Sequence, residues 1–534
     1  MKNIIILNLG SQKDIIESSY LTSSIVSEHP DHKIEMLVDS ANAEIAEIVS
    51  GVHKVHTIDT TKIKQIFDTP LYSEAFAINE FVDSLDEIFT KNWDYAYNYS
   101  NDSVSSYLIS AVDSHQKIGT YISNNGVART TNKWATYQNA VAPMQARPVI
   151  DRVNMRNHIA GTPVYHEEQR IKMNGEYTAV ATQNFARIRQ MKGSSATFIV
   201  GINLNEGSDG YVMGSNTYME LLEAIEESEN FKAVLLLDGK SYQRETVNEL
   251  NAKFKDTLIS INVETVALPA VLSNLDILVS TSNTQLAIAD AMETKCIEIR
   301  DFTSKNFIPV CHTNDNYIIQ SKDESNMAND IILAINEELE TELPITTLSS
   351  ANPTYKLIQD EYGVTQSQIR GELDLFSELS FHLERSITLE NLGYPHNAEL
   401  VEHVKLNSDD TQLSTFVNEM KEELTDTVKV LLSTLRSLKG MKNSEGNLNS
   451  FISHLDTLIA IGRNDTIIAS TVRFFEGRIE NIEAVDMDAN IKAIESNLFQ
   501  LKSELQTITT LLTELSVRSD KSSSAQVRNT TAEA

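Results

Sequence analysis

The chain is 534 residues long, carries a formal net charge of −31 and has 41% hydrophobic residues. This length is enough for about three domains, each with a sizeable core. The acidic excess repels nucleic acid and anionic membrane surfaces over a Debye length of about 8–10 Å, so neither is an expected partner. The two cysteines, Cys296 and Cys311, match no metal-ligand spacing. We therefore expect reduced thiols, no metal site, no membrane span and a cytoplasmic location.

Strands and helices alternate in the first part of the chain. The apolar run at residues 2–9 predicts a buried strand that ends at Gly10, and a helix follows at 15–29. The other predicted strands lie at 33–39, 55–58, 94–99 and 116–121, with helices at 41–50 and 103–114. Such alternation indicates parallel strands joined by right-handed crossovers. We expect a Rossmann-like domain over 1–150 and a connector over 151–195.

A second alternation begins near residue 197. Strands are predicted at 197–202, 233–237, 257–261, 276–280 and 295–299, with helices at 217–227, 245–254, 267–275 and 285–292. This pattern predicts a second Rossmann-like domain over 196–350. The fold class is therefore α/β, with two Rossmann-like domains that face a cleft. Open parallel sheets bind ligands at the carboxyl ends of their strands, so the cleft is the expected site.

The last third of the chain is predicted to be helical, as an all-α bundle or coiled-coil region over 351–518. Apolar residues near its end are spaced strictly by three and four, a seam of period 3.5: Ile491, Ile494, Leu498, Leu501, Leu505, Ile508, Leu512 and Leu515. One helix cannot cover such a seam alone. Either a bundle within the chain or a homo-oligomer covers it. Residues 519–534 have almost no apolar content, which predicts a disordered tail.

A candidate catalytic residue follows the first strand, in the sequence LGSQKD. A strand that ends in glycine before a helix places backbone N–H groups at the carboxyl edge of the sheet. Asp14 falls in the first turn of this helix. It is a candidate general base that accepts a proton from an acceptor hydroxyl. The alternative is a carboxylate that only stabilises the helix N-terminus.

Two later loops are candidate sites for a diphosphate. The loop after the predicted strand at 276–280 is rich in small polar residues that suit an anion at a helix start, and ordinary helix capping explains them equally well. The glycine-rich loop after the strand at 197–202 lets backbone approach a phosphate, or is simply flexible. The candidate ligand-binding residues are Asn203, Asn205, Gly207, Ser280, Thr281, Ser282, Asn283 and Thr284.

The order of elements over about residues 1–325 resembles glycosyltransferase family 9, the heptosyltransferase group with the GT-B fold. The motifs that carry the resemblance are IIILNLGSQKD, KIEMLVD, HKVHTID, WDYAYNYS, QKIGTY, VGINLNEG and LPAVLSNLDILVSTSNTQLAIADA. In that family the aspartate at the position of Asp14 is the proposed base. The resemblance implies a nucleotide-sugar donor, no cofactor and an inverting, metal-independent transfer to a glycan or protein acceptor.

The donor motif departs from the family at three places. Ser282 stands where the family has aspartate, Ala287 stands where it has histidine, and GYVMG replaces a basic-aromatic segment after VGINLNEG. A diphosphate leaving group needs charge stabilisation from helix N-termini or from another cation. Arg189 and Lys192, just ahead of the second domain, are candidates by position. An alternative function is a catalytically degenerate GT-B-like scaffold or binding protein that assembles through its C-terminal helices.

Overall fold

The computed structural model describes residues 2–530 except 70–73, 165–168, 191–196, 205–206, 208–209, 238–242, 255–257, 305–306, 346–349, 361, 373, 395–409, 442–447, 465 and 484–485, and side chains are described as far as 516. The chain forms two compact units. One, called here the α/β unit, contains Met1–Ile122 and Ile150–Leu373. The other, the helical unit, contains Ser123–Val149 and Asp374–Ala534.

The first lobe of the α/β unit is a five-stranded parallel sheet in the order β3-β2-β1-β4-β5. The central strand β1 is buried from Ile4 to Leu7, which explains its uninterrupted apolar run. The strands are β1 (Asn3–Leu7), β2 (Lys33–Asp39), β3 (Val52–Ile58), β4 (Trp93–Asn98) and β5 (Ser114–Ile118), and the helices are α1 (Gln12–Glu28), α2 (Ala43–Glu47), α3 (Thr60–Asp68), α4 (Glu74–Phe89) and α5 (Ser103–Ala111). This strand order is that of a Rossmann-like sheet.

A stretch with little regular sheet follows the first lobe. It contains the short strands β6 (Thr120–Ile122) and β7 (Ala128–Thr130) and the helices α6 (Lys133–Ala140), α7 (Arg152–Ala160) and α8 (Gly175–Gln190). The predicted connector at 151–195 thus contains α7 and α8, which belong to the α/β unit. The segment 123–149, predicted as part of the first domain, belongs to the helical unit instead.

The second lobe is an eight-stranded sheet in the order β10-β9-β8-β11-β12-β13-β14-β15. Its first six strands in that order are parallel to their neighbours and enclose a second apolar core. They are β8 (Phe198–Asn203), β9 (Phe231–Leu237), β10 (Ile259–Asn262), β11 (Ile277–Ser280), β12 (Lys295–Asp301) and β13 (Tyr317–Ser321), with helices α9 (Ser215–Glu227), α10 (Gln243–Lys253), α11 (Leu268–Leu272), α12 (Asn283–Ala291) and α13 (Met327–Leu339).

Two antiparallel strands, β14 (Thr354–Asp360) and β15 (Gly363–Arg370), extend this sheet beyond residue 350. The prediction that the chain turns helical from residue 351 is therefore wrong for this hairpin. Gly363 explains the tight turn, because its φ of +104° favours glycine and a Cβ there would lie 2.1 Å from the side chain of Asn154.

The helical unit is built around long helices, as its apolar seam predicts. Its further helices are α14 (Leu375–Asn391), α15 (Asp410–Met441), α16 (Leu448–Ile461), α17 (Ile467–Glu480) and α18 (Met487–Thr530). The seam residues Leu498, Leu501, Leu505, Ile508, Leu512 and Leu515 are all buried in one core with residues of α15 and α17. The seam is therefore covered within a single copy of the chain, which is the intrachain alternative. The last helix continues to Thr530, past the start of the predicted disordered tail, and residues 531–534 lie outside the described residues.

Candidate functional site

The loop that joins β1 to α1 is tightly organised around Asp14. Ser11 caps α1, and its backbone N–H and its hydroxyl donate to Asp14 Oδ2 at 2.9 and 2.7 Å. Gly10 is required here, because a Cβ would lie 2.8 Å from Asp14 Cβ and Oδ2. The Asn8 side chain, buried at the strand end, donates to the Asp14 carbonyl at 3.0 Å. This loop fixes the Asp14 carboxylate at the carboxyl edge of the first sheet.

Two arginines of α7 contact the other oxygen of this carboxylate. Arg152 forms an ion pair with Asp14 Oδ1, and Arg156 Nη2 lies 3.3 Å from the same oxygen. Burial pushes the pKa of Asp14 up, but Arg152 and then Arg156 outweigh it, so the pKa is lowered below its ordinary value. The Arg152 side chain is 28% exposed, whereas that of Arg156 is buried. Asp14 is thus ionised at neutral pH and held from both sides.

Glu17, one turn further along α1, lies at the centre of a buried ionic cluster. Its carboxylate contacts Arg156 Nη1 at 2.8 Å, His312 Nε2 at 3.2 Å and Lys13 Nζ at 3.4 Å. Burial raises the pKa of Glu17, but Arg152, Lys13 and the hydrogen bond with His312 outweigh it and hold the pKa well below its ordinary value. This cluster joins the two lobes, because His312 comes from the second one.

A second buried carboxylate, Asp290 near the end of α12, continues the contact between the lobes. Tyr20 of α1 donates its hydroxyl to Asp290 Oδ2 at 2.6 Å. The backbone N–H of His312 donates to the same oxygen at 2.9 Å, and the Thr313 hydroxyl donates to Oδ1 at 2.6 Å. The first half of α1 therefore lies against the second lobe, and even Ser18 and Ser19 of this helix are buried.

His312 should make the stability of the α/β unit depend on pH. Burial lowers its pKa, but Asp151 at 2.6 Å and Glu17 outweigh this effect and raise the pKa to about 10, above its ordinary value of 6.5. The stabilisation is complete below pH ~6.5, where the unfolded histidine is also protonated, and is lost as pH rises towards about 10. We expect the free energy of unfolding to fall over this range in the parent chain.

The histidine variant His312→Gln isolates this contribution. Its stability should vary less between pH 6.5 and 10 than that of the parent, because the other titrating groups are common to both proteins. Urea unfolding at several pH values measures the difference. Parallel curves for the two proteins would contradict the assignment of a charged His312.

The start of α12 carries the predicted ligand residues that follow β11. Ser280 and Thr281 are buried, and the Ser280 hydroxyl accepts from the Ser282 N–H at 2.9 Å. Ser282, Asn283 and Thr284 remain half-buried. Within the described part of the chain, the Ser282 side chain makes no capping hydrogen bond to α12, although it occupies the N-cap position. The first amides of this helix therefore lack the side-chain cap that Ser11 gives α1.

The N-termini of α1 and α12 meet. The Thr284 hydroxyl donates to Gln12 Oε1 at 3.0 Å, and both residues lie in the first turns of their helices. The helices then pack side by side. The loops after β1 and β11 therefore lie next to each other. This arrangement brings Asp14 and Thr284 to the same edge.

The remaining predicted ligand residues are placed less favourably. Asn203 is fully buried at the end of β8, and its side-chain amide donates to Gln285 of α12. Gly207 donates its backbone N–H to the Tyr211 carbonyl at 2.8 Å within the glycine-rich loop. Asn205 and Lys192 lie outside the described residues.

Arg189 lies away from the cleft edge. Its guanidinium contacts Asp276 at 2.8 Å and donates to the Thr197 carbonyl at 2.5 Å. Both partners precede a strand, β11 and β8 respectively, so Arg189 stands at the amino ends of the strands. A phosphate bound at the carboxyl edge would lie at the opposite ends of these strands.

Sequence reasoning missed the cations that do reach Asp14. Arg152 and Arg156 are four residues apart on α7, and Asp14 and Glu17 are three apart on α1, so each pair shares one helix face. That spacing was visible in the sequence, but nothing in it indicated that the two faces meet. No group of three metal-binding side chains occurs among the described residues, and no helix in the described ranges could span a bilayer.

No family model matches the chain, and no curated protein matches it either. It is similar to the structure of E. coli heptosyltransferase WaaC with ADP-2-deoxy-2-fluoro heptose, at 14% identity over 63% of this chain and 99% of that one, with a TM-score of 0.44. It is also similar to a family 9 glycosyltransferase from Veillonella parvula DSM 2008, at 12% identity over 64% and 97% of the chains, with a TM-score of 0.48.

A third similar structure is the UDP-GlcNAc 2-epimerase from Neisseria meningitidis bound to UDP-GlcNAc, at 12% identity over 64% of this chain and 95% of that one, with a TM-score of 0.33. The strand orders of the two sheets are those of Rossmann-like domains. Two Rossmann-like sheets meet here with the helices after β1 and β11 side by side. The α/β unit therefore has a GT-B-like architecture of two Rossmann-like lobes.

Proposed function

We propose that the α/β unit transfers a sugar from a nucleotide-sugar donor to a glycan or protein acceptor, with inversion and without a metal. The observation that carries the proposal is the meeting of the α1 and α12 N-termini, with Gln12 and Thr284 in contact and Asp14 in the same turn as Gln12. This edge is where ligands of open α/β sheets bind.

Each of the two helix starts has one role in the proposed reaction. The incompletely capped start of α12 offers backbone N–H groups and the polar side chains of Ser282, Asn283 and Thr284 to the donor diphosphate. Asp14 takes the proton from the acceptor hydroxyl while that oxygen attacks the anomeric carbon. As the new bond forms, the bond from this carbon to the diphosphate oxygen breaks, and the nucleoside diphosphate leaves with that electron pair. One displacement of this kind inverts the anomeric centre.

The arginines of α7 have a supporting role in this scheme. Arg152 and Arg156 keep Asp14 ionised, so the base is in its proton-accepting form over the physiological pH range. By lowering the pKa of Asp14, they also reduce its basicity. A general base works best with a pKa near the working pH, so this reduction limits the rate. An acceptor that displaces the partly exposed Arg152 from Asp14 would restore part of that basicity.

A second candidate function is a nucleotide-sugar-binding protein that does not catalyse transfer. A specific observation favours it, because both oxygens of Asp14 already have partners in Ser11, Arg152 and Arg156. Ser282 and Ala287 also replace the aspartate and histidine of the resembling family's donor motif. Binding of the donor is common to both candidates, whereas turnover distinguishes them.

Donor binding is tested first, by thermal shift and calorimetric titration with ADP-, UDP-, GDP- and CMP-sugars. We expect at least one to bind, and we expect Ser282→Glu to weaken it by at least about tenfold, because a carboxylate at the α12 N-terminus repels a diphosphate. Ser453→Glu, on an exposed position of α16, is the matched control and should leave binding unchanged. No binding by the parent chain would overturn both candidates.

A further inference from the structure

The helical unit contains a cavity of about 330 Å³ that the transfer proposal does not use. α14 forms one wall, the segment 144–147 another, and the start of α17 closes it. Two large apolar side chains at this cavity, Met144 and Phe376, are 51% and 44% exposed. The volume matches a small ligand with about the size of one or two sugar rings, at the lower end of ordinary ligand pockets.

Acceptors and hydroxyls dominate the polar lining. The Glu384 carboxylate accepts from Gln145 Nε2 at 2.7 Å and from the Ser470 hydroxyl at 2.6 Å. Ser377 and Ser380 add two further hydroxyls from α14. Both donors reach the same carboxylate oxygen, and a carboxylate forms strong hydrogen bonds with hydroxyl donors.

The cations in the lining are already engaged with other groups of the helical unit. Arg147 pairs with Glu378 and lies 3.7 Å from the ring centre of Phe381. Arg473 donates to the carbonyl oxygens of Gly462 and Asn464. An anionic ligand would have to compete with these partners, and the positive charge of Arg473 offsets the negative charge of Glu384, so the lining favours a neutral guest with hydroxyl groups and an apolar face.

A smaller cavity of about 10 Å³ adjoins the first and shares Glu384, Ile467 and Ser470 with it. It has room for about one water molecule. Thr471, which lines it, is 1% exposed, and its hydroxyl has no hydrogen-bond partner among the described residues. A buried hydroxyl of this kind needs a partner, so the cavity should contain a water or a hydroxyl group of a guest.

We propose that this cavity binds a neutral saccharide. Hydroxyl groups of the sugar donate to Glu384 and exchange hydrogen bonds with Ser377 and Ser380, and its apolar C–H face lies against the exposed Phe376 ring. The site is built entirely from residues of the helical unit. It goes beyond the proposed transfer and does not depend on it.

Ligand-observed NMR and calorimetry on the full chain test this assignment with three compounds of one size. Glucose is neutral, glucosamine is cationic and glucuronate is anionic, and galactose and N-acetylglucosamine extend the neutral set. We expect binding of at least one neutral sugar in preference to both charged ones. Binding of glucosamine alone, of glucuronate alone or of none would overturn the proposal.

Two matched serine variants locate the site. Ser377→Phe adds a ring at the cavity and should weaken saccharide binding by at least about tenfold. Ser453→Phe makes the same change on an exposed face of α16 and should have no effect. Equal behaviour of the two variants would place the sugar elsewhere and overturn the proposal. Nucleotide-sugar binding, measured on the same proteins, should be unchanged, so this test and that of the transfer site fail independently.

Discussion

Replacing Asp14 with asparagine is expected to lower the rate of sugar transfer by about 10²–10⁴-fold, the usual contribution of a general base. The amide cannot accept the proton from the acceptor hydroxyl. Donor binding should change little, because the diphosphate is assigned to the start of α12. The measurement is kcat and donor affinity with the nucleotide sugar that binds the parent chain.

Replacing Arg152 should change how the transfer rate depends on pH. Among the charges that lower the pKa of Asp14, Arg152 is the strongest. Arg152→Gln should therefore raise the pKa of Asp14, and the acidic limb of the pH–rate profile should move to higher pH. A residue that is only structural would lower the rate without moving this limb.

Asp59→Asn is the matched control for the asparagine substitution. Asp59 also accepts a backbone N–H at the start of a helix of the first lobe, where its side chain bonds the amide of Lys62 at 2.7 Å. It should reduce stability slightly and leave turnover unchanged. If the parent chain turns over and Asp14→Asn turns over equally fast, Asp14 is a capping residue and the base lies elsewhere.

The central strands of the α/β unit were predictable because they are buried on both faces. β1 and β11 appear in the sequence as uninterrupted apolar runs, and Gly10 or small polar residues mark their ends. The topology rule for parallel sheets then predicted which loops share the carboxyl edge. These local signals place Gln12 and Thr284 at the carboxyl edges of their own sheets, whereas the contact between them is a finding of the structure.

The ionic cluster around Glu17 could not be predicted in the same way. Its members come from α1, from α7 and from the loop before β13, and Glu17 and His312 alone are 295 residues apart. Each of them, taken alone, is an ordinary charged residue of a helix or a loop. Only the packing of α1 between the two lobes makes them neighbours.

The unit boundaries were missed for a related reason. Residues 123–149 lie ahead of α7 in the chain, but their core residues Trp134 and Tyr137 are buried in the helical unit. Composition does not reveal which core an apolar side chain joins. By contrast, the seam of α18 depends on spacing alone, and its burial was correctly anticipated.

Removing Arg156 from the ionic cluster around Glu17 should destabilise the α/β unit strongly. Arg156→Met leaves Glu17 buried without its 2.8 Å partner and removes the contact of the guanidinium with the Tyr99 ring at 4.0 Å. Breaking one side of a buried ion pair costs about 3–5 kcal/mol. We expect the lower end of that range, because Lys13 and His312 also contact Glu17.

The two tryptophans allow this loss to be assigned to one unit. Trp93 is buried in the α/β unit and Trp134 in the helical unit, so urea unfolding of a Trp134→Phe background reports on the α/β unit through Trp93 alone. Lys62→Met, which breaks an exposed ion pair with Glu80 in the same lobe, should cause little or no change. Similar small losses for Arg156→Met and Lys62→Met would mean that the cluster does not join the lobes energetically. Separation of the lobes would then cost little of the free energy that the cluster was expected to supply.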